Sequence, residues 1–324
     1  MDNLVSVIIP TFNEQDTIQR CIRSVYLSEY DSNLIEVIVV DGLSSDSTLD
    51  KVRELTKDYP TIRVLSNPEV ITPCAFNIGI KNSNGKFVLI LSAHSTITKD
   101  YIGCLVHEAQ KEKSDLIGGV FEVGLRNDTA VARSIRRILS NKFATGNSAS
   151  RAGVSKTVKA DTASGLYRKS VFGKVGFFDE RLLRCQDLEM SARMRNSDLT
   201  IHVTDKTKYT YLPRSTLKSF CKQGFKTGYW IGYVAINFWK PVVVRSRHMV
   251  PAAHLLMLIL SITAAMYLHP APLVVYLLTY LGFLLTTNNG VTPTERLTDV
   301  AITAAYHAFY GLGTLVGIAK NLWR

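Results

Sequence analysis

The chain has 324 residues, 46% of them hydrophobic and 20% charged, with a formal net charge of +11. That length buries a sizeable core without disulfides or a structural metal, and the composition excludes disordered, collagen-like and cysteine-scaffold classes. The five cysteines (Cys21, Cys74, Cys104, Cys185 and Cys221) contain no C-x-x-C pair and read as reduced thiols of a cytosolic setting.

In chain order, Met1-Asp2-Asn3 leads straight into Val5–Thr11, a short apolar run, so no leader peptide is expected at this start. Asn13-Glu14 opens a helical pattern with Ile18, Cys21, Ile22 and Val25 at helical spacing. Ile35–Val40 is a second strand-like run, ending at Asp41-Gly42, and Ser45–Lys57 follows as a helix. Ile62–Ser66 predicts a strand, Pro73–Lys81 a helix, Phe87–Leu91 a strand and Lys99–Lys111 a helix. Apolar strands alternating with helices predict an α/β fold, a mostly parallel sheet with helices on both faces. Ligands of such sheets bind beyond the carboxyl ends of the strands, where Thr11, Asp41 and His94 fall.

Beyond Leu116–Val123, another strand-like run, the alternation weakens. Ala130–Lys142 predicts a basic helix, 144–165 a Gly/Ser/Ala/Thr-rich loop, and Leu199–Tyr211 a strand. Thr216–Lys240 is a long helix rich in aromatic residues. Three apolar stretches then follow, at Val250–Leu268, Leu273–Leu285 and Val300–Ile318. A bilayer core takes about 20 helical residues. The first and third are long enough, the second is short, and the first two predict a hairpin. Residues 250–324 carry only Arg296, Lys320 and Arg324 against Glu295 and Asp299, so the first 249 residues hold +10 of the net charge. Lys240, Arg245 and Arg247 precede the hairpin and place that flank in the cytoplasm by the positive-inside rule. The expected organisation is a catalytic domain over 1–214 (halves about 1–114 and 115–214), an interfacial amphipathic segment over 215–249 and membrane-associated helices over 250–324.

Two groups of residues sit where a strand gives way to a helix: Pro10-Thr11-Phe12-Asn13-Glu14 and Val39-Val40-Asp41-Gly42-Leu43-Ser44-Ser45-Asp46-Ser47-Thr48. A carboxylate at the end of a central strand points into the crevice, which singles out Asp41; Asp46 and Ser47 read as caps of the next helix. The order P-T-x-N-E, then V-V-D-G-x-S-x-D-x-T, resembles family 2 glycosyltransferases with the GT-A (Rossmann-like) fold. The resemblance implies that Asp41 reads the nucleotide base and that Thr11 and Glu14 line the same pocket. Ala75-Phe76-Asn77-Ile78-Gly79 is similar to the family's next nucleotide-side segment, which implies a nucleotide role for Asn77; Phe76 stands where many members have Arg.

After the fourth strand the family carries D-x-D or D-D, which holds a divalent cation on the donor diphosphate; this chain has Ser92-Ala93-His94. A subgroup of succinoglycan-type exopolysaccharide transferases has D-A-H there, so the resemblance implies His94 as the metal ligand and Ser92 as a donor-side residue. The ion implied is Mn2+ or Mg2+; imidazole suits Mn2+ better. Gly165–Arg168, Gly176–Glu180 and Cys185-Gln186-Asp187-Leu188-Glu189 resemble the family's acceptor half. Asp187 then takes the general-base position, and Gln186 replaces the usual Glu, removing a neighbouring negative charge. Glu189 and Arg193, four apart on a helix, read as an ion pair.

Gln223-Gly224-Phe225-Lys226 resembles a Q-x-x-[RK] variant of membrane-bound members, which implies that Lys226 offsets the charge of the leaving diphosphate. The expected function is inverting transfer from a nucleotide-diphosphate sugar to a lipid-linked saccharide, in exopolysaccharide or cell-surface glycan assembly, at the cytoplasmic side of the inner (plasma) membrane. No nucleic-acid partner is expected. A second reading stays open: Ser92, Gln186 and Phe76 also fit a catalytically degenerate binding or assembly partner of a polysaccharide complex.

Overall fold

The computed structural model describes residues 3–141, 154–238, 243–287 and 292–322. Lys142, the start of the predicted 144–165 loop, Trp239 and Lys240 lie outside them. Two compact units form, Met1–Glu122 with Gly153–Tyr211 and Val123–Ala152 with Leu212–Arg324.

In the first unit, β1 (Val5–Thr11), β2 (Ile35–Asp41), β3 (Ile62–Ser66) and β4 (Phe87–Ile90) run parallel in the order β3-β2-β1-β4. Strands β1 and β2 are buried along almost their whole length, as continuous β-branched runs must be when both faces are covered. Val5, Val7 and Ile9 share one core with Ile18, Cys21, Ile22 and Val25 of α1 (Ile18–Tyr26) and with Ile102 and Leu105 of the later helix α4 (Tyr101–Lys111). The other face takes α3 (Thr72–Lys81), which follows α2 (Thr48–Thr56) in the chain. A Cβ on Gly79 of α3 would lie 2.5 Å from the Ile8 side chain, so glycine sets how closely this helix approaches.

The parallel expectation holds for these four strands, but the sheet as a whole is mixed. Strand β8 (Leu166–Arg168) joins β4 antiparallel, with Leu166 opposite Leu89, and then β6 (Leu116–Val123). Next comes β9 (Ile201–Tyr211), with β5 (Ser95–Ile97) and β7 (Val158–Lys159) pairing antiparallel to it. Strands of two or three residues leave no periodic signal, so β5, β7 and β8 were not legible in the sequence. Two helices complete the unit, α6 (Ser170–Val175) and α7 (Gln186–Asn196).

The second unit is helical: α5 (Ala130–Leu139), α8 (Leu217–Asn237), α9 (Ser246–Tyr267), α10 (Ala271–Thr287) and α11 (Pro293–Leu322). By length and composition α9 and α11 can cross a membrane, and α10 is shorter. The apolar stretch of α9 is mostly exposed, whereas almost half of that of α11 is buried. The burial comes from α8, expected to lie at an interface, which packs along α11 within this unit. Gly228 allows it: a Cβ there would collide with the Tyr310 carbonyl, and one on Gly313 with the Phe225 carbonyl. Small residues four apart on both helices (Gly224, Gly228 and Gly232 against Gly313 and Gly317) form the close-approach pattern of membrane helices. The hairpin of α9 and α10 is stitched by Tyr276 and His254, and Tyr280 meets His307 Nδ1 of α11 at 3.0 Å.

Candidate active site

Strands β1 and β2 end side by side, with Thr11 in register with Asp41. Both residues are buried. The Asp41 carboxylate accepts from the Ser44 hydroxyl at 2.6 Å and from the Ser44 amide at 2.9 Å. These bonds fix its orientation and leave lone pairs over for a further donor. The buried Asn67, just after β3, donates its amide N–H to the Asp41 carbonyl at 2.7 Å, and its own Oδ1 has no hydrogen-bond partner.

The loops after β1 and β2 interlock through side chains. Asn13 N–H donates to Ser44 Oγ and Ser45 N–H to Asn13 Oδ1, both at 2.9 Å. Gln15 N–H donates to Asp46 Oδ2 at 3.2 Å, and Ser47 N–H to Gln15 Oε1 at 3.1 Å. Thr48 Oγ1 accepts the Glu14 amide at 2.8 Å while donating to Asp46 Oδ1 at 2.5 Å. Burial pushes the Asp46 carboxyl up, but the Thr48 bonds and the Gln15 amide outweigh it and hold the group below its ordinary value. Asp46 and Ser47, expected as caps of α2, thus join the loops after β1 and β2. Helix α2 begins at Thr48 rather than at Ser45.

Four of the non-glycine residues with left-handed backbone lie in the loops around these strand ends and before α7: Asn13, Leu43, Val70 and Cys185. Such conformations cost about 1–3 kcal/mol each and persist where surrounding contacts over-determine them. Phe12 and Leu43 are exposed beside Asp41, apolar surface on which a flat ring can rest. Neither was singled out from sequence.

Just past β4 the chain delivers Ser92 and His94. His94 Nδ1 lies 3.0 Å from Glu14 Oε1, and the second oxygen of Glu14 accepts from Thr17 Oγ1 at 2.8 Å. The Ser92 hydroxyl is 3.2 Å from Nδ1 and 3.1 Å from Nε2 of the same ring, which makes a T-shaped contact with Tyr211. Thus Glu14, Ser92 and His94, apart in sequence, form one cluster at the carboxyl ends of β1 and β4.

A divalent ion fits this cluster only on limited terms. Among the described residues no group of three or more His, Cys, Asp or Glu side chains is placed to hold one. One imidazole nitrogen and a serine hydroxyl suit an ion that brings most of its oxygen ligands with it, as a diphosphate-bound Mn2+ or Mg2+ does.

Asn77 is engaged within the fold. Its buried amide donates to the Phe178 carbonyl at 2.9 Å and to Glu180 at 2.8 Å, and its oxygen accepts the Phe178 amide at 2.9 Å. Through these bonds the residue clamps the 176–180 loop onto α3. Phe76 packs against Phe178 beside it, ring centroids 5.0 Å apart, so this Arg-to-Phe difference is filled by apolar contact. Three such bonds, one to a carboxylate, predict that Asn77→Ala costs about 2 kcal/mol. The thermal midpoint of the purified protein is then expected to fall by about 4–8 °C; an unchanged midpoint would remove the clamp.

The clamped loop leads into α7. Cys185, in left-handed conformation, precedes the helix, and Asp187 sits half-buried in its first turn. Glu189 pairs with Arg193 at 2.6 Å, as expected, and Arg193 also donates to the Phe177 carbonyl at 2.8 Å, tying α7 to the loop. Burial, then the Asp187 charge, push the Tyr167 hydroxyl up. Burial also raises the thiols, Cys21 to about 12 and Cys74 and Cys104 to about 11, so they are protonated and unreactive at neutral pH. Gln186 Oε1 is buried with no hydrogen-bond partner. Lys226 belongs to the second unit, exposed on α8.

A parallel βαβ half that ends in an aspartate on one side of its central strand and leads to a histidine on the other, continued by an antiparallel half with a carboxylate at a helix start, is the GT-A design of a sugar-transferring enzyme. The glycosyl transferase family 2 model matches residues 6–176, just over half of the chain, and the chain belongs to that family of glycosyltransferases. It is 29% identical over 237 residues to a dolichyl N-acetyl-alpha-D-glucosaminyl phosphate 3-beta-D-2,3-diacetamido-2,3-dideoxy-beta-D-glucuronosyltransferase of Methanococcus voltae, covering 70% of this chain and 72% of that one. It is also 29% identical over 254 residues to the succinoglycan biosynthesis protein ExoA of Rhizobium meliloti, covering 76% and 74%. The crystal structure of S. aureus TarS 1-349 in complex with UDP-GlcNAc aligns with a TM-score of 0.52 at 16% identity, over 99% of this chain and 93% of that one. At that identity the likeness is one of fold.

Proposed function

We propose that this glycosyltransferase inverts the anomeric centre as it moves a sugar from a nucleotide-diphosphate donor, UDP-linked, to a lipid-linked saccharide at a membrane. The observation that carries the reading is the single network joining Asp41 and the Glu14–Ser92–His94 cluster across adjacent strand ends. Asp41 accepts from the nucleobase, Thr11 and Glu14 line that end, and Ser92 and His94 meet the diphosphate. A divalent ion, when bound through His94, would offset the charge developing on the leaving diphosphate.

Asp187 is the general base. Its carboxylate takes the proton of the acceptor hydroxyl as that oxygen bonds to the anomeric carbon from the face opposite the diphosphate. The bond from the anomeric carbon to the diphosphate oxygen breaks, and the electron pair leaves with the nucleoside diphosphate. The unpartnered Gln186 Oε1 beside Asp187 supports entry of a hydroxyl donor there.

The lipid-linked acceptor is supported by the dolichyl phosphate in the name of the Methanococcus voltae relative and by the apolar helices α9 and α11. Arg245 and Arg247 at the start of α9 favour a cytoplasmic active site at the inner (plasma) membrane, and the succinoglycan biosynthesis named for the Rhizobium meliloti relative favours exopolysaccharide or cell-surface glycan as the product. Membranes containing the protein, offered a panel of radiolabelled nucleotide sugars, are expected to yield one labelled lipid extract from a UDP-linked donor. Nucleotide binding with no labelled product from any donor would favour the degenerate partner instead.

A further inference from the structure

Glu14 lies in the loop after β1, and its carboxylate reaches a residue 80 positions away in sequence, His94. Every part of Glu14 is held. One oxygen faces His94 Nδ1 at 3.0 Å, the other accepts from Thr17 at 2.8 Å, and the backbone amide donates to Thr48 at 2.8 Å. Thr48 is in turn tied to Asp46. The two side chains are only 19% and 26% exposed, so water competes weakly for the contact.

We propose that Glu14 is a positioning residue: its carboxylate fixes the His94 ring with the proton on Nδ1, leaving Nε2, beside the Ser92 hydroxyl, as the nitrogen that meets the donor diphosphate or the ion it carries. A carboxylate accepts and cannot donate, so the nitrogen facing it carries hydrogen whether the ring is neutral or charged. A ring held this way presents one defined nitrogen, the role that outer carboxylates play for ligating histidines generally. The Tyr211 ring, 5.2 Å away between centroids and steeply inclined to the imidazole, limits its tilt. Glu14 thereby passes the order of the β1 and β2 loops, which carry Asp41, to the diphosphate end. This assignment gives Glu14 a supporting part beside its place along the pocket, and it rests on the reading above that His94 faces the diphosphate.

Two measurements separate the inference from that reading. The first is the His94 tautomer, read from nitrogen–proton spectra of the full-length protein carrying isotope-labelled histidine in detergent, with His94→Gln to assign the signal. Wild type is expected to show hydrogen on Nδ1; Glu14→Ala is expected to give a mixture, and Glu14→Gln, whose amide oxygen can still accept, to restore the Nδ1 form. The second is the affinity for UDP with Mn2+, measured by titration calorimetry. Glu14→Ala is expected to weaken it by ~10-fold, with no further loss when combined with His94→Ala. An unchanged tautomer in Glu14→Ala overturns the positioning role while leaving the proposed function standing. A shifted tautomer with unchanged UDP affinity in both single variants overturns the placement of the diphosphate at His94, and with it this inference.

Discussion

Asp187→Asn is expected to lower sugar transfer by ~10²-fold or more while the nucleotide still binds. The substitution keeps the shape of the side chain and removes the atom that takes the proton. The surroundings favour a role beyond packing. Glu189, two positions on, is buried and consumed by Arg193, as a structural carboxylate is. Asp187 stays half-buried at the start of α7, held there by the left-handed Cys185 and by a loop that Asn77 and Arg193 pin from two sides. A strained residue before a functional carboxylate is the arrangement expected where the chain aims a group instead of burying it. The check is a single-turnover rate beside a UDP titration, on membranes where the wild type labels a lipid. A normal rate in Asp187→Asn would remove the base; a lost rate with lost UDP binding would mean that the helix start had collapsed.

What the sequence reveals, and what it hides, follows the range of the interactions involved. The strand at Leu116–Val123 and those at β1 and β3 were legible to the residue, because apolar runs bounded by turn residues are local signals. The start of α2 was not: it falls at Thr48, and the amides of Ser45 and Ser47 before it donate to Asn13 and Gln15 of another loop, contacts that no local signal announces. The donor-side motif residues do gather at the strand ends, but the bond that organises them, Glu14 to His94, joins distant parts of the chain, and no spacing rule announces it. Asn77 is similar: its partners, Phe178 and Glu180, lie about a hundred residues away. The packing of α8 is visible in the sequence, since Gly224, Gly228 and Gly232 repeat every four residues along one helix face.

Asp299→Ala is expected to cost about 3 kcal/mol in the helical unit, the largest stability loss predicted for a single side chain here. The residue sits near the start of α11, fully buried. Arg137 of α5 approaches it with two nitrogens, at 2.7 and 2.8 Å, and the buried Ser134 hydroxyl donates at 2.5 Å. Glu295, a turn earlier, takes a third Arg137 nitrogen at 3.1 Å. A surface pair would contribute little, but this carboxylate has no solvent to fall back on, and its removal leaves a guanidinium facing an empty apolar site. Arg137 keeps 21% of its side chain exposed and retains Glu295, which places the expected cost at the lower end of the range for broken buried pairs. The double substitution Arg137→Met with Asp299→Leu removes both charges together and is expected to recover most of the loss. Thermal unfolding in detergent reads both variants. A double variant as unstable as Asp299→Ala would show that the site depends on the shape of the network, and an unaffected Asp299→Ala would show that α5 is held to α11 by its apolar face alone.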